Sequence, residues 1–442
     1  MSLKPMILVD KHIRANAIDE TSRSITTVRS ESHLIGLKGI IALQSIAWIY
    51  FSTFIPGLVS PDAKVPKYQD AFRVGFSPLL WNDTLISTFF ILISMRTVCV
   101  TFLKDPDSKS YSGTLLRRIF RGAFLLGVAS ALATLATSLF GPENIDHFKT
   151  LLPNQDIPTP VKAPSALAVF NSIFNLFFLN KGWATQAANT FWPSGTLWVA
   201  AVAYYQSWTV YILMVFLPYT RAKWHPQGLT LFALGSFWYA SWGWYSATGL
   251  LLADFAHNAV LSNCLEEGIK IKGDVKLPTF VVAALMAAAG AALKYAFTIL
   301  PHYKDALLVL HPFIDLNESI TKAQYLEAGP WPRLDDWLFV VGVLLLLEAL
   351  PILRRLLSIR PLIFIGERAF GLFFAQSVVF WTLGIRLWLF LRVKRSYNVP
   401  ESNVIVLLTC LPTICLCAEL FHRVVDMPSR WLAARTYNWL LE

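Results

Sequence analysis

"GLTLFALGSFWYASWGWYSATGLLLADFAH", residues 228–257, is the stretch on which the architecture turns. A helix rises about 1.5 Å per residue, so crossing a hydrocarbon core of about 30 Å takes roughly 20 residues. This stretch is long for one span and short for two. It reads either as a single long crossing or as two short ones hinged near Ser241, Trp242 and Gly243. The remaining apolar runs are easier: 36–57, 79–103, 119–140, 195–217, 277–300, 335–353, 361–383 and 402–422 each have the length of a span.

Charge decides between the two readings, because Lys and Arg accumulate on the cytosolic side of a membrane protein. From a cytosolic N-terminus, "LLRRIFR" (115–121) falls inside after two spans and "RAKW" (221–224) after four. If 228–257 crosses twice, then Lys270, Lys272 and Lys276, "RRLLSIR" (354–360) and the tail from Arg423 to Arg435 all fall inside as well. A single crossing puts these last three clusters on the wrong side. The fold class expected is therefore all-α: a polytopic transmembrane bundle of about ten spans with both termini cytosolic. Arg392, Lys394 and Arg395 are the exception, lying outside.

Composition agrees. Of 442 residues, 55% are hydrophobic and only 15% charged, where a soluble domain carries about a quarter. Sixteen tryptophans and fourteen tyrosines suit the aromatic belts at bilayer interfaces. The net charge of +10 lies in short clusters between apolar runs, which marks orientation in a membrane and not nucleic-acid binding. Five cysteines make no pairing framework, and Cys410, Cys415 and Cys417 read as packing residues within a span. Residues 1–32 are expected to form a polar cytosolic tail, their one apolar stretch being too short for a signal-peptide core, with 33–425 the membrane domain and 426–442 an amphipathic cytosolic tail. "SALAVFNSIFNLFFLN" (165–180) is too short to span, and Phe170, Ile173, Phe174 and Phe177 repeat at helical spacing, so a helix lying in the interface is expected.

Ion-coupled transport needs ionisable groups near the bilayer midplane. Asp83, Arg96, Glu348 and Glu419 instead fall near span ends, where they can snorkel or pair. The mid-span polar groups are neutral: Gln44, Tyr204, Tyr205, Gln206 and Gln376. Each can serve as interhelical hydrogen-bond glue, or several can share a cavity. Gln44, Trp198, Tyr205 and Gln376 are the candidate cavity residues. No metal-ligand cluster is read.

Several stretches resemble, in order, the acyltransferase-3 family of multipass membrane acyltransferases, especially its fungal branch. "LIGLKGIIAL" is similar to the family's "LDGLRGIAAL", with Lys38 at its arginine position. "STFFILISMRTVCVTFLKD" followed by "LLRRIFR" resembles a helix and RxxR motif, matched by Arg118 and Arg121. "GTLWVAAVAYYQSW", "ATGLLLAD" and "HRVVDMPSRWLAAR" are similar to further family segments. The resemblance implies acyl-CoA as co-substrate from the cytosol, with transfer of an acyl group, expected to be acetyl, to a hydroxyl of a sugar, lipid or small molecule. It also implies that 33–425 is an acyltransferase-3-like domain, in a eukaryotic secretory-pathway or plasma membrane.

Chemically, such transfer needs cations for the nucleotide phosphates and a base for the hydroxyl. Lys38, Arg118 and Arg121 are the candidate phosphate ligands, the two arginines sharing one helix face; anchoring at the cytosolic surface would also place them there. The proton-handling positions differ from the family's. Ile49, or Tyr50 with a one-residue slip, stands at the first-helix histidine, and a tyrosine with a pKa of about 10 is a poor base. Ala203 and Tyr205 replace a glutamate and an arginine, and Gln376 replaces a histidine. Tyr50 and His257 are the candidate catalytic residues, with His33 and His422 also at the cytosolic edge. Asp426 reads as a cap for the tail helix, with Pro428 in its first turn. Two alternatives stand beside the transferase: a catalytically silent homologue that binds lipid, glycan or acyl-CoA, and a facilitator for neutral solutes.

Overall fold

The computed structural model describes residues 31–61, 66–104, 107–140, 142–152, 160–178, 182–257, 268–272, 275–303 and 329–441. The principal helices are α1 (Ser32–Phe54), α2 (Lys67–Leu80), α3 (Asp83–Val98), α4 (Ser108–Phe140), α5 (Ala166–Phe178), α6 (Trp198–Phe216), α7 (His225–Trp238) and α8 (Gly243–His257). They continue with α9 (Thr279–Ile299), α10 (Leu334–Ala349), α11 (Pro351–Leu357), α12 (Arg360–Glu367), α13 (Ala369–Val379), α14 (Val399–Phe421) and α15 (Met427–Leu441). A small antiparallel hairpin, β1 (Ile269–Lys272) with β2 (Val275–Leu277), is the one departure from helix and turn among the described residues. Lys270, Lys272 and Lys276 sit on it.

Seven helical stretches are long and apolar enough to cross a bilayer, or eight if α10 and α11, which meet at a 103° bend, form one broken span. Helix starts follow local chemistry. Asn82 accepts from the Leu85 amide to open α3, and Asn398 and Glu401 form a reciprocal capping box at the start of α14. α14 then runs through a wide turn at 422–426 into α15 without a break.

The stretch 228–257 resolves into two antiparallel arms, α7 of 14 residues and α8 of 15. At about 1.5 Å per residue each arm is roughly 21–23 Å long. The reversal is a Schellman motif: the Ser241 amide donates to the Ser236 carbonyl and the Ala240 amide to the Phe237 carbonyl, with Ala240 left-handed at φ 53°. At the open end, His225 Nδ1 lies 3.0 Å from Asp254 Oδ2 and closes the pair. The hinge thus begins one or two residues before Ser241, because an alanine takes the place that glycine usually marks.

Two buried ionic clusters, one at each end of the bundle, show which way the helices run. At one end Arg96 bonds Glu348, His33 Nε2 lies 3.6 Å from Glu348, and His257 Nε2 lies 3.7 Å from Glu31. At the other end Lys294 bonds Asp336 and reaches Asp335 at 3.5 Å, while the Tyr245 hydroxyl donates to the Arg333 carbonyl at 2.9 Å. The helices α3, α8 and α10 therefore run parallel, and α1 and α9 run against them. The chain reaches this alternation only because α7 and α8 double back. The pairing expected of Arg96, Glu348 and Glu419 is present, Glu419 being held by Arg368 and Arg423.

Close backbone contacts tighten the bundle. A methyl on Gly36 would stand 1.7 Å from the Leu357 carbonyl oxygen, and one on Gly366 would stand 1.8 Å from that of Ile35. The glycines of "GLKG" thus let α1 touch the α11–α12 segment, as small residues do in membrane bundles. One apolar core surrounds α3, α6, α8 and α10; another joins the second half of α1 to α13, residues 380–391 and α14. The helix at 166–178 is formed, but Phe177 packs over Gly122 and Ile173 over Gly127, so α5 lies antiparallel along α4. Phe170 and Phe174 of the same expected apolar face stay exposed.

Candidate functional site

The site begins at the first four turns of α4. "KSYSGTLLRRIFR" brings Lys109, Arg117, Arg118 and Arg121 to that end of the helix, where α1, the end of α3 and the second turn of α6 pack beside it. Lys38, Lys109, Arg117, Arg118 and Arg121 line one cavity of about 500 Å³ together with Ser94, Thr97, Thr101, Tyr204 and Phe177. The three basic residues singled out from sequence therefore converge. Their partners differ.

Lys38 has no hydrogen-bond or ion-pair partner among the described residues, although it is only partly exposed. The glycines of "GLKG" face the α11–α12 segment, and Lys38 lines the cavity. Arg118 is fixed by one terminal nitrogen that donates to Ser94 Oγ at 2.8 Å and to the Ala203 carbonyl at 3.1 Å. Arg121 donates to Asp426 Oδ1 at 2.7 Å, while its Nε is buried without a partner among the described residues. Arg117 lies over the Tyr437 ring, 4.8 Å from its centroid. Of the five cations lining the cavity, only Arg121 has a carboxylate partner among the described residues. Lys38, Arg118 and Arg121 are only partly exposed, whereas Lys109 and Arg117 are exposed, and like charges gathered in this way favour an anion that enters between them.

Asp426 is 2% exposed and is shared by Arg121, Arg430 and His422. This corrects its reading as a helix cap. The helix continues through it, so its carboxylate is free to join α15 to α4 instead of closing a helix end. The Tyr437 hydroxyl completes the joint by donating to the Lys109 carbonyl at 2.7 Å.

The remaining sequence candidates lie elsewhere. The Tyr50 hydroxyl donates to the Asn403 carbonyl at 2.8 Å inside the second core, away from the cavity wall. His257 Nδ1 meets the Ala253 carbonyl at 2.9 Å, and its other nitrogen faces Glu31. His33 is taken up by Glu348 and His422 by Asp426. Gln44 donates to the Leu79 carbonyl at 3.2 Å and Gln376 to Ser45 Oγ at 2.6 Å, each bridging helices. Trp198 packs against Trp242 and Tyr205 against Trp183. None of these lines the cationic cavity. Neither a histidine nor a carboxylate lines it among the described residues.

Sequence reasoning missed Lys109, Arg117 and the role of Asp426, whose signal lay in α15 pairing with α4. It also missed Lys294, a lone charge in an apolar run whose partners, Asp335 and Asp336, stand some forty residues on. Comparison with known proteins finds no matching family model, no similar curated protein and no similar solved structure.

Proposed function

We propose that the chain is a ten-span membrane protein with both termini cytosolic, whose cationic cavity binds the phosphates of an acyl-CoA. The observation that carries this reading is the convergence of Lys38, Arg118 and Arg121 on one cavity, with the Lys38 ammonium unpaired among the described residues. The positive-inside rule assigns the cavity to the cytosolic end, where CoA thioesters are found. Arg118 is oriented by Ser94 and the Ala203 carbonyl through one nitrogen, which leaves the rest of its fork for phosphate oxygens. Lys38 supplies a point charge opposite it. With no histidine or carboxylate lining the cavity among the described residues, the reading supported best is an acyl-CoA-binding scaffold or carrier. Acyl transfer is the second reading, favoured by the order of the acyltransferase-3-like motifs along the chain.

The test uses purified full-length protein in lipid nanodiscs with acetyl-CoA labelled in the acetyl group. Binding retained on a filter, lost in Arg118→Ala, with the label still on CoA after prolonged incubation, is the expected result. Label appearing on a hydroxyl acceptor would move the conclusion to the transferase. Absence of any retained CoA would remove both.

A further inference from the structure

A second concavity adjoins the first. Between α4 and α5 lies a groove of about 780 Å³, floored by Ala123, Gly127 and Ala131 and walled by Ile173 and Phe174. Phe177 and Tyr204 line both this groove and the cationic cavity, their rings edge to face with centroids 4.5 Å apart. The groove follows α4 from Ile119 to Ser138, away from the cationic end. At about 1.5 Å per residue that is roughly 28 Å, the depth of a bilayer core. Its lining is almost wholly apolar, and it is empty of charge.

We propose that this groove holds the acyl chain of the ligand whose phosphates occupy the cavity, so that the ligand is a long-chain thioester and not acetyl-CoA. The inference rests on the reading of the cavity as a CoA-phosphate site. Three features choose this occupant. The groove meets the cations at one end only, as an amphiphile with an anionic head requires. It runs along an apolar helix long enough to span a bilayer, away from the charged end, as a chain does. The pantetheine arm between the phosphates and the thioester reaches only the near part of a groove this long, so a two-carbon acyl group would leave its far part, from Ala131 to Ser138, empty. Bulk lipid, by contrast, has no need of the cation cluster.

The experiment uses the full chain in zwitterionic nanodiscs with palmitoyl-CoA carrying a photoreactive diazirine near the end of its chain, and maps the crosslinks by mass spectrometry. Crosslinks are expected on α4 between Gly127 and Ser138 and on α5 near Val169 and Ile173, and excess CoA should suppress them. Ala131→Trp, which fills the floor, should weaken octanoyl-CoA binding about tenfold while leaving CoA binding unchanged, since several methylenes lose their place. Crosslinks spread over other lipid-facing helices, or insensitive to CoA although CoA binds, would overturn the chain assignment alone. Suppression by phosphatidic acid but not by CoA would replace the thioester with a phospholipid and overturn it as well. Failure of CoA itself to bind would strike the cavity reading instead. The crosslinking is done on the unaltered chain, so it stands even if the tryptophan variant does not fold.

Discussion

At the scale of single residues, function and stability pull in opposite directions at Lys38. An ammonium among Arg118 and Arg121, without a carboxylate of its own, costs free energy until an anion arrives. Lys38→Met is therefore expected to raise the apo protein's thermal midpoint in detergent, by the equivalent of about 1 kcal/mol. It should also abolish stabilisation by CoA, which in the wild type grows with ligand concentration by mass action. A lowered midpoint with an intact CoA shift would show that Lys38 serves the fold. Glu348 is the converse case: it satisfies Arg96 and faces His33 in the bundle interior. Glu348→Ala should cost about 3–5 kcal/mol, because it strands a buried guanidinium; equilibrium unfolding measures it. Lys38, Arg118 and Arg121 were legible because charges at the ends of apolar runs stand out in sequence. Tyr50 was misplaced because aligning one helix to a motif fixes a position along it but not which core it faces, and Tyr50 faces Asn403.

At the scale of elements, glycines and one alanine carry the account. Ala240 holds a left-handed conformation that costs a residue with a Cβ about 1 kcal/mol or more. Ala240→Gly should stabilise the protein by about 0.5 kcal/mol once the freer unfolded chain is counted, read as a small rise in unfolding midpoint. Gly366→Val should do the reverse on a larger scale. Its Cβ would collide with the Ile35 carbonyl, α1 would part from α12, and the variant should elute as aggregate in size-exclusion chromatography. Helix existence was readable from hydropathy, and the doubling back of 228–257 from charge. What the sequence left open were relations between helices far apart in the chain. The rest of α5 along α4, and the joint between α15 and α4 through Asp426 and Tyr437, depend on surfaces that no local period encodes.

At the scale of the molecule, the two ionic clusters and the alternating helix directions give a bundle in which 228–257 turns back on itself, as the proposed ten-span topology requires. In a cysteine-free background, a cysteine at Thr220 should react with an impermeant maleimide only in opened vesicles, and one at Ala240 in intact cells. Equal protection of both would break the proposed topology, and with it the proposed cytosolic address of the cavity. Lys38, Arg118 and Arg121 are proposed to hold phosphate in that cavity. Calorimetric titration of CoA into the full-length protein and into the Lys38→Met/Arg118→Ala double variant tests this most directly. Saturable binding is predicted for the wild type, weakened tenfold or more in the variant, since each charge-assisted contact contributes about 1.5–3 kcal/mol. Equal affinity in the two proteins, or no binding to the wild type, would contradict it.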